Sequence, residues 1–234
     1  MKKIFLIWSL LAIVFAGGFN TVAGQEREER RVSGAFDEVS VSSGVDLFLK
    51  QGDDYEIIVE GDEDAIDNLV TELKGNRLNV YLKTNFFSWF WNGEVNVYVT
   101  MPEVTKLSSS GGADLKSVGE LSADRIEINC SGGADAEVSV RAVSVILHSS
   151  GGADLSIEGQ TEVLHAESSG GADINAKELQ AKKVFASASG GADIEVYVTD
   201  EIEASASGGA DVDYYGSGKE VKISESGGGD VRKH

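Results

Sequence analysis

A chain of 234 residues with a formal charge of −19 can bury one core of ordinary size, and it is too acidic to seek nucleic acid or an anionic lipid surface. Its single cysteine, Cys130, excludes an intrachain disulfide, so stability rests on packing and hydrogen bonds in any redox compartment. Such acidity favours cations, basic partners or plain solubility.

Met1-Lys2-Lys3 precedes an apolar run from Ile4 to Phe15, and small residues follow at Ala16-Gly17-Gly18 and Val22-Ala23-Gly24. This order predicts a secretory signal peptide over 1–24, cleaved after Gly24 or near Gly18. The run falls short of the ~20 apolar residues of a spanning helix, and no later run reaches that length. With no cysteine in the leader, lipid attachment is not expected. The mature chain is therefore expected in the periplasm, on the outer surface or outside the cell, with its charge moved to −21 by the loss of Lys2 and Lys3.

From 25 to 107 the pattern predicts a β-rich region. Gln25 to Arg31 is a charged lead-in, and Val39–Val41, Val45–Leu49 and Tyr55–Val59 alternate as strands. Asp62 to Leu73 changes period: Ala65, Ile66, Leu69, Val70 and Leu73 share a helical face, with acids ahead and Gly75 behind. A helix there is expected to cap the open end of the fold and block edge pairing. Leu78–Leu82 and Val95–Val99 return to strand, and Met101-Pro102 ends the run. Between them Phe86, Phe87, Trp89, Phe90 and Trp91 crowd into six residues. Two readings stand: a loop tucked against the core, or an exposed patch that meets a partner, glycan or membrane. This segment is the strongest candidate for a specific contact.

From 108 to 234 a single motif dominates. SGGAD begins at Ser110, Ser131, Ser150, Ser169, Ser189 and Ser207, and SGGGD at Ser226, in steps of 21, 19, 19, 20, 18 and 19 residues. Such a period without helical spacing predicts one coil of a β-solenoid per copy. Five residues before the serine stand Thr105, Ile126, Val145, Leu164, Val184, Ile202 and Val221; three before it Leu107, Ile128, Leu147, Ala166, Ala186, Ala204 and Ile223. The position before the serine is small in every copy but the last: Ser109, Cys130, Ser149, Ser168, Ala188 and Ala206, then Glu225. After the aspartate come Leu115, Ala136, Leu155, Ile174, Ile194, Val212 and Val231. Period two with one apolar face is a strand signature. The expected fold is thus all-β: a parallel, single-stranded β-solenoid of coils near 19 residues, with a short N-terminal helix and capping strands, packed with residues 32–107 as one domain. Ser43-Gly44-Val45-Asp46-Leu47 resembles a degenerate earlier copy.

Alternation turns the motif alanine inward and the aspartates outward, so Asp114, Asp135, Asp154, Asp173, Asp193, Asp211 and Asp230 are expected in one column. Neighbours ~5 Å apart in water repel by roughly 0.9 kcal/mol per pair. The carboxylates can accept bonds from the glycine turn, stand solvated, or hold a hard cation such as Ca²⁺; no other cofactor is implied. Catalysis needs an acid and a base with separated pKa values, and seven equivalent carboxylates do not supply them. His148 and His165 sit at different offsets and are expected not to stack. No catalytic residue is therefore expected.

The chain resembles a bacterial family, the putative auto-transporter adhesin, head GIN domain. The resemblance is carried by Phe36, Val39 and Val41; by Gly75, Leu78 and Val80; by Met101, Pro102, Val104 and Leu107; and by the Ser-Gly-x-Ala/Gly-Asp repeats that follow. It implies a β-helix akin in shape to pectin lyases, without recognised catalytic residues, and a conjectured role in cell adhesion. A self-transporting adhesin carries a C-terminal membrane barrel; none follows His234, so surface attachment is expected through a partner. The function expected is non-enzymatic binding or scaffolding of glycans, envelope components or other proteins. A calcium-stabilised periplasmic repeat and a polysaccharide-active enzyme are the alternatives.

Overall fold

The alternating pattern is realised as a stack of strands in a computed structural model that describes residues 26–83 and 95–234. The leader and the aromatic segment Phe86–Trp91 both lie outside the described residues. In chain order the strands are β1 (Glu26–Arg30), β2 (Glu38–Ser42), β3 (Asp46–Gln51), β4 (Glu56–Gly61), then helix α1 (Glu63–Asn68), β5 (Leu69–Lys74), β6 (Arg77–Leu82), β7 (Val95–Met101) and β8 (Lys106–Ser110). Five long, bent strands follow, each one coil: β9 (Asp114–Ser131), β10 (Asp135–Gly151), β11 (Asp154–Gly170), β12 (Asp173–Gly190) and β13 (Asp193–Gly208). The last coil is broken into β14 (Asp211–Tyr215), β15 (Lys219–Ser226) and β16 (Asp230–Lys233).

From β9 to β13 every neighbouring pair is parallel, and the motif is in register throughout: aspartate lies beside aspartate from Asp114 to Asp230. The inward columns read from the repeat are buried from β9 to β13, with Ile126, Val145, Leu164, Val184 and Ile202 at most 1% exposed, whereas Thr105, assigned to the same column, is exposed and its neighbour Val104 is buried in its stead. Coil length varies without disturbing this register. The two extra residues of the β9 coil are absorbed in a bulge opposite Glu137 to Ser139, and the unequal coils β11, β12 and β13 are matched by bulges after Ser156 and Ala176. The equal coils β10 and β11 pair without a break. Length differences thus collect on the corners away from the glycine turn, where a bulge costs only local ladder bonds.

The turn itself explains the motif. Its first glycine has φ between +63° and +85° in all seven copies, a region that L side chains disfavour. At Gly190 a Cβ would also come within 2.9 Å of the Gly170 carbonyl oxygen in the coil beneath. The second glycine is left-handed only at Gly112, Gly133 and Gly228; Gly191 has ordinary φ, and a Cβ there would stand 3.6 Å from the same oxygen. Beneath the turn, the small inward column forms a polar ladder. Ser109, Cys130, Ser149 and Ser168 donate to the carbonyls of Ala113, Ala134, Ala153 and Ala172 at 2.7, 2.9, 3.0 and 2.6 Å. Each buried hydroxyl is thereby satisfied across the turn it supports. Cys130 is 2% exposed, and burial pushes its thiol up to about 12, so it is a packing group rather than a nucleophile.

The degenerate copy is a true coil. Ser42 pairs with Ser110 and Asp46 with Asp114, so Ser43, Gly44 and Val45 occupy the turn. Ser43 takes the first-glycine position at φ +67°, among the described residues the only non-glycine with positive φ. One coil further out, β6 lies on β2 and β7 on β3. Beyond them the parallel order ends: β4 and then β1 add antiparallel to β7, and β5 adds antiparallel to β6.

The helix is shorter than its apolar spacing predicts. It stops at Asn68, with Ala65 and Ile66 buried, and Leu69–Lys74 is the strand β5. Val70 and Thr71 are β-branched and favour strand, and Gly75 (φ +67°) closes a hairpin in which all six residues of β5 pair with β6. A longer helix would leave the outer edge of β6 unpaired. Arg30 fixes the junction by donating to the carbonyls of Ile66 at 2.6 Å and Leu69 at 2.7 Å. At the other end Val221 is 55% exposed, contrary to its inward assignment, because no coil continues over it among the described residues.

Two substitutions separate the glycines. Gly190→Ala is expected to destabilise by about 2–3 kcal/mol through backbone strain and the close carbonyl, whereas Gly191→Ala should stay within ~0.5 kcal/mol of wild type. Urea denaturation of both variants checks the pair. Cys130 should react with a thiol reagent only on unfolding, which is measured by labelling across a denaturant series.

Candidate functional site

The seven predicted aspartates do form one outward column, and the structure extends it. Asp46 joins it beside Asp114, Asn96 follows beside Asp46, and Glu60 beside Asn96. Arg27 closes that end at 2.8 Å from Glu60, and Arg232 bridges Asp211 and Asp230 at the other. Partial relief comes from the backbone: the N–H of Asp193 donates to Asp173 Oδ1, and that of Asp211 to Asp193 Oδ1, each at 3.3 Å. Two positions beyond, Lys116 pairs with Glu137 at 3.2 Å. The interior of the column remains electrostatically loaded. Burial, then the neighbouring Asp135, raises Asp114 above the ordinary carboxylate range; burial, then Asp173 and Asp211, raises Asp193 against the opposing bond from the Asp211 N–H. Among the described residues no three His, Cys, Asp or Glu side chains converge to hold a metal ion.

The histidines do not stack on each other. His148 lies 3.2 Å from Glu167, while His165 stacks on Phe185 in the next coil with centroids 4.7 Å apart. Among the described residues neither histidine has a hydroxyl or thiol partner. The aromatic segment Phe86, Phe87, Trp89, Phe90 and Trp91 lies outside the described residues.

A further surface was not anticipated from the motif. On the side of the coil away from the glycine turn runs an open groove of about 1080 Å³. Its floor carries Ala123, Ala142, Thr161 and Ala181, one per coil and in register, and Val198 takes the same place in the next coil. One wall carries Ser122, Arg141, Gln160 and Gln180, also in register, and the far wall includes Val143, Glu162 and Lys182. Glu103 to Thr105 line its N-terminal end. The sequence signal is the run of small residues three places before each inward −5 position, which an alignment restricted to the SGGAD neighbourhood does not reach. Arg141 is held by Glu120 at 2.8 and 3.1 Å and by Gln160 Oε1 at 3.0 Å; Lys182 lies 2.7 Å from Glu162. A smaller groove of about 390 Å³ on another corner carries Glu137, Glu158 and Glu178 and no basic residue.

A parallel solenoid with its aspartates aligned from coil to coil defines a repeat protein. The chain belongs to the family described as putative auto-transporter adhesin, head GIN domain, whose profile matches residues 35–218. No curated protein matches it. A solved structure of a putative adhesin from Bacteroides fragilis NCTC 9343 superposes with a TM-score of 0.82 at 21% identity, covering 93% of this chain and all of the other. A putative lipid binding protein from Parabacteroides distasonis ATCC 8503 gives 0.70 at 20% identity over 91% and 97% of the two chains. A putative adhesin from Parabacteroides merdae ATCC 43184 gives 0.72 at 15% over 91% and 97%. At these identities the likeness establishes the fold.

The loaded column makes a pH-dependent prediction. A carboxyl raised in the folded state binds protons there first, so its charge destabilises above the raised value and the penalty fades as pH falls. Asp193→Asn keeps an acceptor for the Asp211 N–H while removing one charge. It should stabilise at pH 7 by on the order of 0.5 kcal/mol, given the exposure of the column. The gain should shrink as pH approaches the ordinary value of 3.8. Thermal melts of both proteins from pH 7 to 3 check it.

Proposed function

We propose that this chain is an exported, non-enzymatic binding or scaffold protein of the cell envelope. The observation that carries the reading is the register. It gives every coil the same outward carboxylate, where catalysis would need groups differentiated in pKa and geometry. Membership of an adhesin-named family and two neighbours named as adhesins support it, as does the leader-like start of the sequence. Among the described residues no helix is long and apolar enough to cross a membrane.

The specific contact in this reading is made by Phe86, Phe87, Trp89, Phe90 and Trp91. Aromatic rings supply large contact area at low entropic cost. Partners are glycans, envelope components or other proteins. Trp89→Ala/Trp91→Ala should weaken capture of envelope fragments by tenfold or more, as truncation of buried aromatic anchors does, with the melting temperature unchanged. Undiminished capture would overturn the role of the segment.

A second reading makes the protein a calcium-stabilised repeat, with Asp114, Asp135, Asp154, Asp173, Asp193, Asp211 and Asp230 facing the ion. The observation on its side is the unbroken carboxylate column with charge repulsion still in it. Melting in calcium and in chelator separates the readings: a rise with calcium supports this one, and identical curves dismiss it.

A further inference from the structure

We infer that the large groove opposite the glycine turn binds a neutral, extended glycan laid along the solenoid axis, with about one sugar ring per coil. The inference rests on reading the chain as a binding protein, and it adds a site and a ligand class.

Shape is the first argument. At about 1080 Å³ the groove reaches the upper end of the ~300–1,000 Å³ usual for small-molecule pockets, and it is open rather than enclosed. Its length follows the stack, because its floor is a column of small side chains in successive coils. Coils repeat every ~4.8 Å, and an extended chain of pyranose rings advances by about that much per ring. An extended peptide advances ~3.3 Å per residue and docks on free strand edges. Along the groove β10, β11 and β12 are paired on both sides, and at its N-terminal end, where β9 has no strand partner between 117 and 127, the Gln51 side chain holds both the N–H and the carbonyl of Ser122.

Charge is the second. Glu103, Asp124 and Glu162 are balanced by Arg125, Arg141 and Lys182, on a chain of net −19. Arg141 and Lys182 are already neutralised by Glu120 and Glu162. A polyanion would meet the field of the whole molecule and find, among the described residues, Arg125 alone of the three groove cations without an ion partner; a polycation would prefer the smaller groove, whose charged lining residues are all acidic. A neutral polyhydroxyl chain meets neither objection.

Hydrogen bonding is the third. Among the described residues the Gln180 amide and the Arg125 guanidinium have no protein partner, and Gln160 uses its carbonyl for Arg141 and keeps both N–H donors. Planar amides spaced one coil apart suit hydroxyl pairs on successive rings. Val143, 53% exposed on the far wall, offers an apolar contact for a ring C–H face.

The test is calorimetric titration of the intact chain with cellohexaose, mannohexaose and laminarihexaose, their disaccharides, and an oligogalacturonate of equal length. At least one neutral hexasaccharide should bind, more tightly than its disaccharide and than the galacturonate. Gln160→Ala/Gln180→Ala, both at exposed positions, should weaken it about tenfold, as expected for the loss of two hydrogen bonds, with the melting temperature held. Sugar titration of the glutamine variant reads the groove and envelope-fragment capture by the tryptophan variant reads the aromatic segment, so the two sites fail separately. The inference is overturned if no neutral hexasaccharide binds, if the galacturonate binds as tightly, or if the glutamine variant binds like wild type.

Discussion

Everything in this molecule depends on backbone stacked on backbone at the glycine turn. The first motif glycine adopts left-handed φ in every copy, and from Gly151 to Gly208 a Cβ there would press within 2.8–3.1 Å of the backbone of the coil beneath. Once that contact is made, adjacent coils cannot slide, because a slip by one residue would turn every inward side chain outward. The serine or cysteine beneath the turn ties the same alanine carbonyl that accepts the N–H of the next coil's aspartate, as at Ala113, Ala134 and Ala153. Backbone geometry, core packing and polar satisfaction are thus settled by one five-residue motif.

Fixed register has an electrostatic consequence. Like residues must lie beside like, so a carboxylate in one copy faces a carboxylate in the next. The chain handles this at the margins, with Arg232 at one end, Asn96 and the Arg27–Glu60 pair at the other, and backbone N–H donors in between. Elsewhere the columns vary. Lys182 lies over Glu162, Arg141 over Glu120, and Phe185 over His165. Variation in the columns away from the motif lets a repetitive scaffold present a particular surface.

Much of this was legible in the residues because a repeat reports its own alignment. The inward columns, the outward aspartates and the role of Cys130 as a small buried group all follow from seven copies read against one another, and Asp46 from an eighth. Where the repetition stops, legibility falls. The stretch from Leu69 to Leu73 satisfies a helical period and a strand equally well, and only the edge of β6 decides for strand. The groove escaped for another reason. Its floor of Ala123, Ala142, Thr161 and Ala181 is defined by what those side chains lack, and concavity is a property of several coils together. No single coil announces it.

The two ends of the stack are not alike. One is closed by antiparallel strands, a helix and the Arg30 bridge; the other finishes in a broken coil with Val221 uncovered and Glu225 in the column of small residues, accepting from the Val231 N–H. In a linear array each coil is held only by its neighbours. Such an array opens where an end coil has one neighbour and little core. Among the described coils the broken one, with little core, is held least, and the coils that carry the groove floor, β9 to β12, each lie between two neighbours.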